Sequence, residues 1–158
     1  MIVLRFVLNS GFIPDAIKAQ EKTAMPFTPG HVEARTPDGA FYIGAHIEGG
    51  VLKRPVGYDK ATIIHELFLT LDSTPEQDTV FYKYLEDSIG EPYDWLSILG
   101  FIIPGHLHLP NHAICSAKIT LALRKCEWFQ WPLAAPAHLI DPRDLLLMIS
   151  ARQQIPGI

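Results

Sequence analysis

Cys115 stands where a helix is predicted to begin. Ile119, Ala122 and Leu123 follow it at i+4, i+7 and i+8, the spacing of one buried helical face. A thiol in the first turn of a helix lies near unpaired backbone N–H groups and the positive end of the helix dipole. Both favour the thiolate, which is the nucleophilic form. The same N–H groups can hold the oxyanion of an acyl-transfer intermediate. That chemistry needs a base, usually a histidine, brought in from elsewhere in the fold. The competing reading of Cys115 is a small buried hydrophobe, which most free cysteines are.

Seven histidines compete to be the base: His31, His46, His65, His106, His108, His112 and His138. His31 is favoured locally because it follows the rigid Pro29-Gly30 pair and opens a predicted strand, near a sheet end where a site can be reached. Glu33, two residues on, shares its strand face and can orient or charge-stabilise the imidazole. The competing reading of this pair is a solvated surface ion pair, worth little. His46 closes the return strand of the same hairpin and is a second polar candidate. His65 sits in an apolar stretch and reads as a core histidine. His106, His108, His112 and Cys115 form the cluster with metal-ligand chemistry. The His-x-His lies in a Pro/Gly loop, with no H-x₃-H on a helix and no C-x₂-C, so no metal is expected. No phosphate loop or dinucleotide fingerprint is present, and no cofactor is expected.

The elements that must position these groups follow from the hydrophobic pattern. Ile2 to Leu8 reads as a strand and Pro14 to about Lys22 as a short helix. His31 to Thr36 and Ala40 to His46 form a hairpin across the turn Pro37 to Gly39. Val51 to Arg54 and Ala61 to Leu71 are further strands. Ser73 and Glu76 have the S-x-x-E form of a capping box. They open a helix carrying Val80, Phe81, Tyr84 and Leu85 on one face, stopped by Gly90. The cysteine helix ends near Arg124 or Cys126, and Trp128 and Trp131 mark an aromatic anchor in the loop beyond. His138 to Ile140 reads as a last strand, and Asp141 to Asp144 cap a final helix over Leu145 to Ala151. The pattern is α+β, antiparallel hairpins with helices grouped on one side, within a single domain spanning 1–158.

Composition narrows the function. Hydrophobic residues make up 48% and charged residues 19%, a globular and not a disordered balance. A formal charge of −4, with no basic run of five, argues against a nucleic-acid partner. Cys115 and Cys126 lie roughly 16 Å apart if they share one helix, beyond the about 7 Å of a disulfide. Free thiols fit a reducing cytoplasm. Met1 to Leu8 lacks a basic n-region and carries Arg5 in its middle, so no secretory signal is expected. The most apolar run, Leu96 to Ile103, ends at Pro104, far short of the ~20 residues of a membrane span. It reads as core, or as an apolar lip around a site.

Two segments together resemble the papain-like amidases of the NlpC type. Gly90-Glu91-Pro92-Tyr93 precedes Cys115-Ser116 as a Gly-x-Pro-Tyr stretch precedes the catalytic Cys-Ser in that family. The histidine strand His31-Val32-Glu33 and its hairpin come earlier in the chain, not later. That rotated order is similar to the circularly permuted, YiiX-like branch and, more distantly, to the lecithin–retinol acyltransferase type. The likeness spans about Asn9 to Arg124. It implies a papain-like antiparallel sheet or small barrel packed against helices, with Cys115 as nucleophile and His31 as general base. Tyr93 would place its hydroxyl near the thiolate or oxyanion. The family's third polar residue falls on Gly44, so the resemblance implies Glu33 as the substitute, with His46 as the other choice, or a Cys-His dyad without a third member. The reaction so implied is thiol-dependent hydrolysis of an amide in a peptide, peptidoglycan fragment or acyl-amide, stem peptides of peptidoglycan included. Acyl transfer or lipid ester cleavage by the same pair is the alternative within enzymes. A catalytically inactive binding module, or a metal-binding protein using the His106–His112 cluster, is the alternative outside them.

Overall fold

The computed structural model describes residues 1–9, 27–93, 114–130 and 135–153. Five strands form one antiparallel sheet: β1 (Val3–Asn9), β2 (His31–Arg35), β3 (Phe41–His46), β4 (Gly50–Pro55) and β5 (Ile63–Thr70). Their order is β4-β3-β2-β1-β5, an open sheet among the described residues and not a closed barrel. Three α-helices accompany it: α1 (Pro75–Asp87), α2 (Cys115–Lys125) and α3 (Pro142–Gln153). The predicted helix over 14–22, the apolar run 96–103, His106, His108, His112 and Trp131 lie outside the described residues.

Alternation along the strands builds the core. Leu4, Phe6, Val32, Ala34, Ile43 and Ala45 are buried on one face of the sheet. They share a single cluster with Phe81 and Leu85 of α1, Ile119, Ala122 and Leu123 of α2, and Leu145, Leu146 and Ile149 of α3. The i+4, i+7 and i+8 pattern after Cys115 is therefore a buried stripe, and the helices cover that face as the α+β pattern predicts. Strand β1 lies inside the sheet between β2 and β5, so Arg5 and Val7 of its other face are buried as well.

The hairpin turn forms for local reasons. Gly39 takes φ 72°, a conformation glycine adopts without Cβ strain. The Asp38 carboxylate accepts from the Ala40 N–H at 3.0 Å and from the Thr36 hydroxyl at 2.5 Å. Trp128 is the predicted aromatic anchor. It is fully buried, its indole N–H donates to Asp72 at 3.2 Å, and the Arg152 guanidinium lies 3.7 Å above its ring.

Four local expectations need correction. The cap of α1 sits one residue later, with Thr74 and Gln77 forming the reciprocal pair. Ser73 is occupied elsewhere, since its hydroxyl accepts from the Ile2 N–H at 3.2 Å and donates to Asp78 at 2.5 Å. On α1, Tyr82 is buried and Val80 exposed. The Tyr82 hydroxyl donates to the Arg35 carbonyl at 2.7 Å and accepts from the Val3 N–H at 3.3 Å, which makes burial of the ring favourable. The segment read as a last strand is a 3₁₀ turn, Ala137–Leu139, closed by the Ile140 N–H donating to the Ala137 carbonyl at 3.2 Å. His65 is exposed and not a core residue. It lies near the start of edge strand β5, where its ring meets Phe27 edge-on at 5.1 Å.

Candidate active site

Strand register brings widely separated charges together. Arg5 on β1 stands opposite Glu33 on β2, and Val7 opposite His31. The Arg5 guanidinium donates to Glu33 Oε1 at 2.6 Å, to both oxygens of Asp59 at 3.1 and 3.2 Å, and to Glu66 at 2.8 Å. It also lies 4.5 Å over the Tyr42 ring. Arg5 and Glu33 are 1% and 0% exposed, so their charges persist only because each is paired and hydrogen-bonded. The reading of Glu33 as half of a solvated surface pair is corrected. Tertiary pairing with Arg5 draws it inside.

Glu33 then serves as the floor of the site. Its Oε2 accepts from the Tyr58 hydroxyl at 3.2 Å, and lies 3.4 Å from His31 Nε2 and 3.7 Å from His46 Nε2. The two imidazole rings are 5.0 Å apart. Both candidates for the third polar residue are therefore present, but Glu33 is the one that contacts His31. Gly44 makes room for it. A Cβ on Gly44 would come within 2.8 Å of the Glu33 Cβ, so a side chain on β3 and the carboxylate on β2 exclude each other there.

Cys115 is the first residue of α2. The preceding Ile114 is extended and supplies no side-chain cap, which leaves the first-turn N–H groups without a cap from that residue. His31 lies close enough to act on the Cys115 thiol, and backbone N–H groups at Val32 and Ser116 also favour its charged form. With His31 Nε2 turned to Glu33, Nδ1 is the nitrogen left for the thiol. Tyr93 packs against Ile114 and Ala117, beside the turn that begins at Cys115. Its segment is fastened twice. The Val51 N–H donates to the Glu91 carbonyl at 2.8 Å, and buried Lys118 on α2 donates to the Glu91 carboxylate at 2.5 Å.

The electrostatics favour a thiolate–imidazolium pair. Burial alone would raise the Cys115 thiol, but the His31 charge and hydrogen bond, with the two backbone N–H groups, hold it below the ordinary thiol range. Burial also works against the His31 cation, and Cys115 and Glu33 overcome it, pushing the imidazole up to about 10. Glu33 stays ionised despite burial because His31 and Arg5 both favour its charge. His46 behaves oppositely: burial and the neighbouring His31 charge push it down to about 3, leaving it neutral. Cys126, at the far end of the same helix, is shifted the opposite way, raised by burial.

Of the residues singled out in the sequence, the structure brings Cys115, His31, Glu33 and His46 together and sets Tyr93 beside the helix start. Arg5, Tyr58, Asp59 and Glu66 belong to the same constellation and have no local signature that marks them. The one available signal is Arg5 itself, an arginine inside an apolar strand, which needs buried partners. Among the described residues, the group compact enough for a metal is His31, Glu33 and His46, with ligand atoms within 4.8 Å of one another. No helix among the described residues is long and apolar enough to cross a membrane. No family model matches the chain, and no curated protein and no solved structure matches it.

Proposed function

We propose that the protein is a thiol hydrolase of permuted papain-like type, cleaving an amide bond through Cys115 and His31 with Glu33 as the orienting carboxylate. The observation that carries this reading is the contact of His31 with a helix-opening cysteine on one side and a buried carboxylate on the other. In the reaction, the Cys115 thiolate attacks the acyl carbon, and N–H groups of the first helical turn hold the oxyanion. His31, as imidazolium, gives its proton to the leaving amine. The neutral imidazole then takes a proton from water, which attacks the thioester and frees the acid. Glu33 keeps the imidazole oriented and favours its charged form. Tyr93 lines the site beside the nucleophile. The substrate class is a peptide amide, with peptidoglycan stem peptides as the first group to examine and lipid esters as the contrast.

The test is a panel of peptide amides, stem-peptide fragments and acyl esters, followed by intact mass after rapid acid quenching. The reading expects hydrolysis with an acyl adduct on Cys115, and loss of both in Cys115→Ala and His31→Ala. Turnover that survives Cys115→Ala would refute it.

A further inference from the structure

We propose that His31, Glu33 and His46 bind one divalent transition-metal ion of the zinc class, and that this ion competes with Cys115 for His31. His31 Nε2 and His46 Nε2 lie 3.4 and 3.7 Å from the same Glu33 oxygen, and the three ligand atoms fall within 4.8 Å of one another. Ligand atoms bound tetrahedrally at zinc distances stand roughly 3.3 Å apart. Closing the site onto an ion thus requires only a modest inward movement of the three groups.

A second observation points to a missing ligand. His46 Nε2 is buried and has no hydrogen-bond partner among the described residues, and its side chain is only 10% exposed. Buried polar groups are normally satisfied, and a metal bond would satisfy this one. The surroundings suit a cation. Three carboxylates, Glu33, Asp59 and Glu66, surround the one guanidinium of Arg5. Arg5 holds Glu33 Oε1, and Oε2, which also accepts from the Tyr58 hydroxyl, is directed at the histidines, the kind of outer contact that orients a metal ligand. Two imidazoles and one carboxylate fit zinc, cobalt or iron, whereas calcium and magnesium take oxygen-rich sites.

An ion on His31 Nε2 leaves the ring proton on Nδ1, the nitrogen that remains for Cys115. That imidazole cannot accept the thiol proton, so the loaded protein lacks its base. This consequence rests on the thiol-hydrolase reading, whereas binding of the ion does not.

Chelator-stripped full-length protein, titrated with zinc chloride by calorimetry and with cobalt chloride by absorption, tests the site. Wild type and Cys115→Ser should each bind one ion per chain. The cobalt form should lack the near-ultraviolet charge-transfer band of a thiolate ligand. His46→Ala and His46→Asn, each checked for folding by circular dichroism, should weaken binding at least about tenfold. The proposal is overturned by a wild type with no saturable binding, by binding that survives both His46 substitutions, or by a thiolate band. Zinc binding without activation of Cys115 would leave the site standing and sink the hydrolase reading.

Discussion

Arg5 holds three carboxylates in place with one planar guanidinium, and through Glu33 it sets the floor beneath His31. Replacing it with methionine keeps bulk but strands buried negative charge. Arg5→Met should therefore cost about 3–5 kcal/mol at neutral pH, the usual penalty for breaking a buried pair, read from urea midpoints. Glu33 is depressed in the folded state, so its contribution is present above its unfolded value and lost as pH falls through the folded one. The difference between wild type and Arg5→Met should accordingly shrink in acid. A difference that stays constant down to pH 3 would show that packing, not charge, dominates. At the same scale, Glu33→Gln should lower His31 and slow Cys115 alkylation near neutral pH, and unchanged alkylation would count against the orienting role.

The elements bring these residues together through close backbone approaches that single side chains would disturb. Gly44 on β3 leaves space for Glu33, and a methyl there would meet the Glu33 Cβ at 2.8 Å. Gly44→Ala should destabilise by about 1–3 kcal/mol, as overpacking does, and should slow Cys115 alkylation by displacing the carboxylate. Full stability with full reactivity would contradict this account of Gly44. The hairpin and the cysteine helix were legible in the sequence because their signals are local: the Pro37–Gly39 turn, and the apolar spacing from Cys115 to Leu123. The cap at Thr74 and the burial of Tyr82 were not legible, because Ser73 bonds to Ile2 and Tyr82 to Arg35, both far away along the chain. Arg5 likewise pairs across 28 residues with Glu33. Only the strand register, which no local pattern states, makes that pair a site.

Across the whole molecule, stability and reactivity are linked by the Cys115–His31 pair. His31 is raised, so its contribution is full below about 6.5 and lost as pH rises through about 10. Cys115 is lowered, so its contribution is full above about 8.5 and lost as pH falls through its folded value. Around neutral pH the slopes cancel, because the folded pair keeps one proton on His31 and the unfolded chain keeps one on Cys115. Unfolding free energy should show a plateau there and decline on the alkaline side. In Cys115→Ser, where Glu33 alone holds His31 up, that decline should shrink and move toward neutral pH, and urea midpoints at neutral and alkaline pH would show whether it does. The central claim, a thiolate activated by His31, is tested most directly by the alkylation rate of each cysteine against pH in wild type and His31→Ala. Cys115 should react with a midpoint well below the free-thiol value of about 8.5, His31→Ala should abolish this, and Cys126 should stay inert. A Cys115 that titrates as an ordinary thiol, or a Cys126 that reacts first, would contradict it.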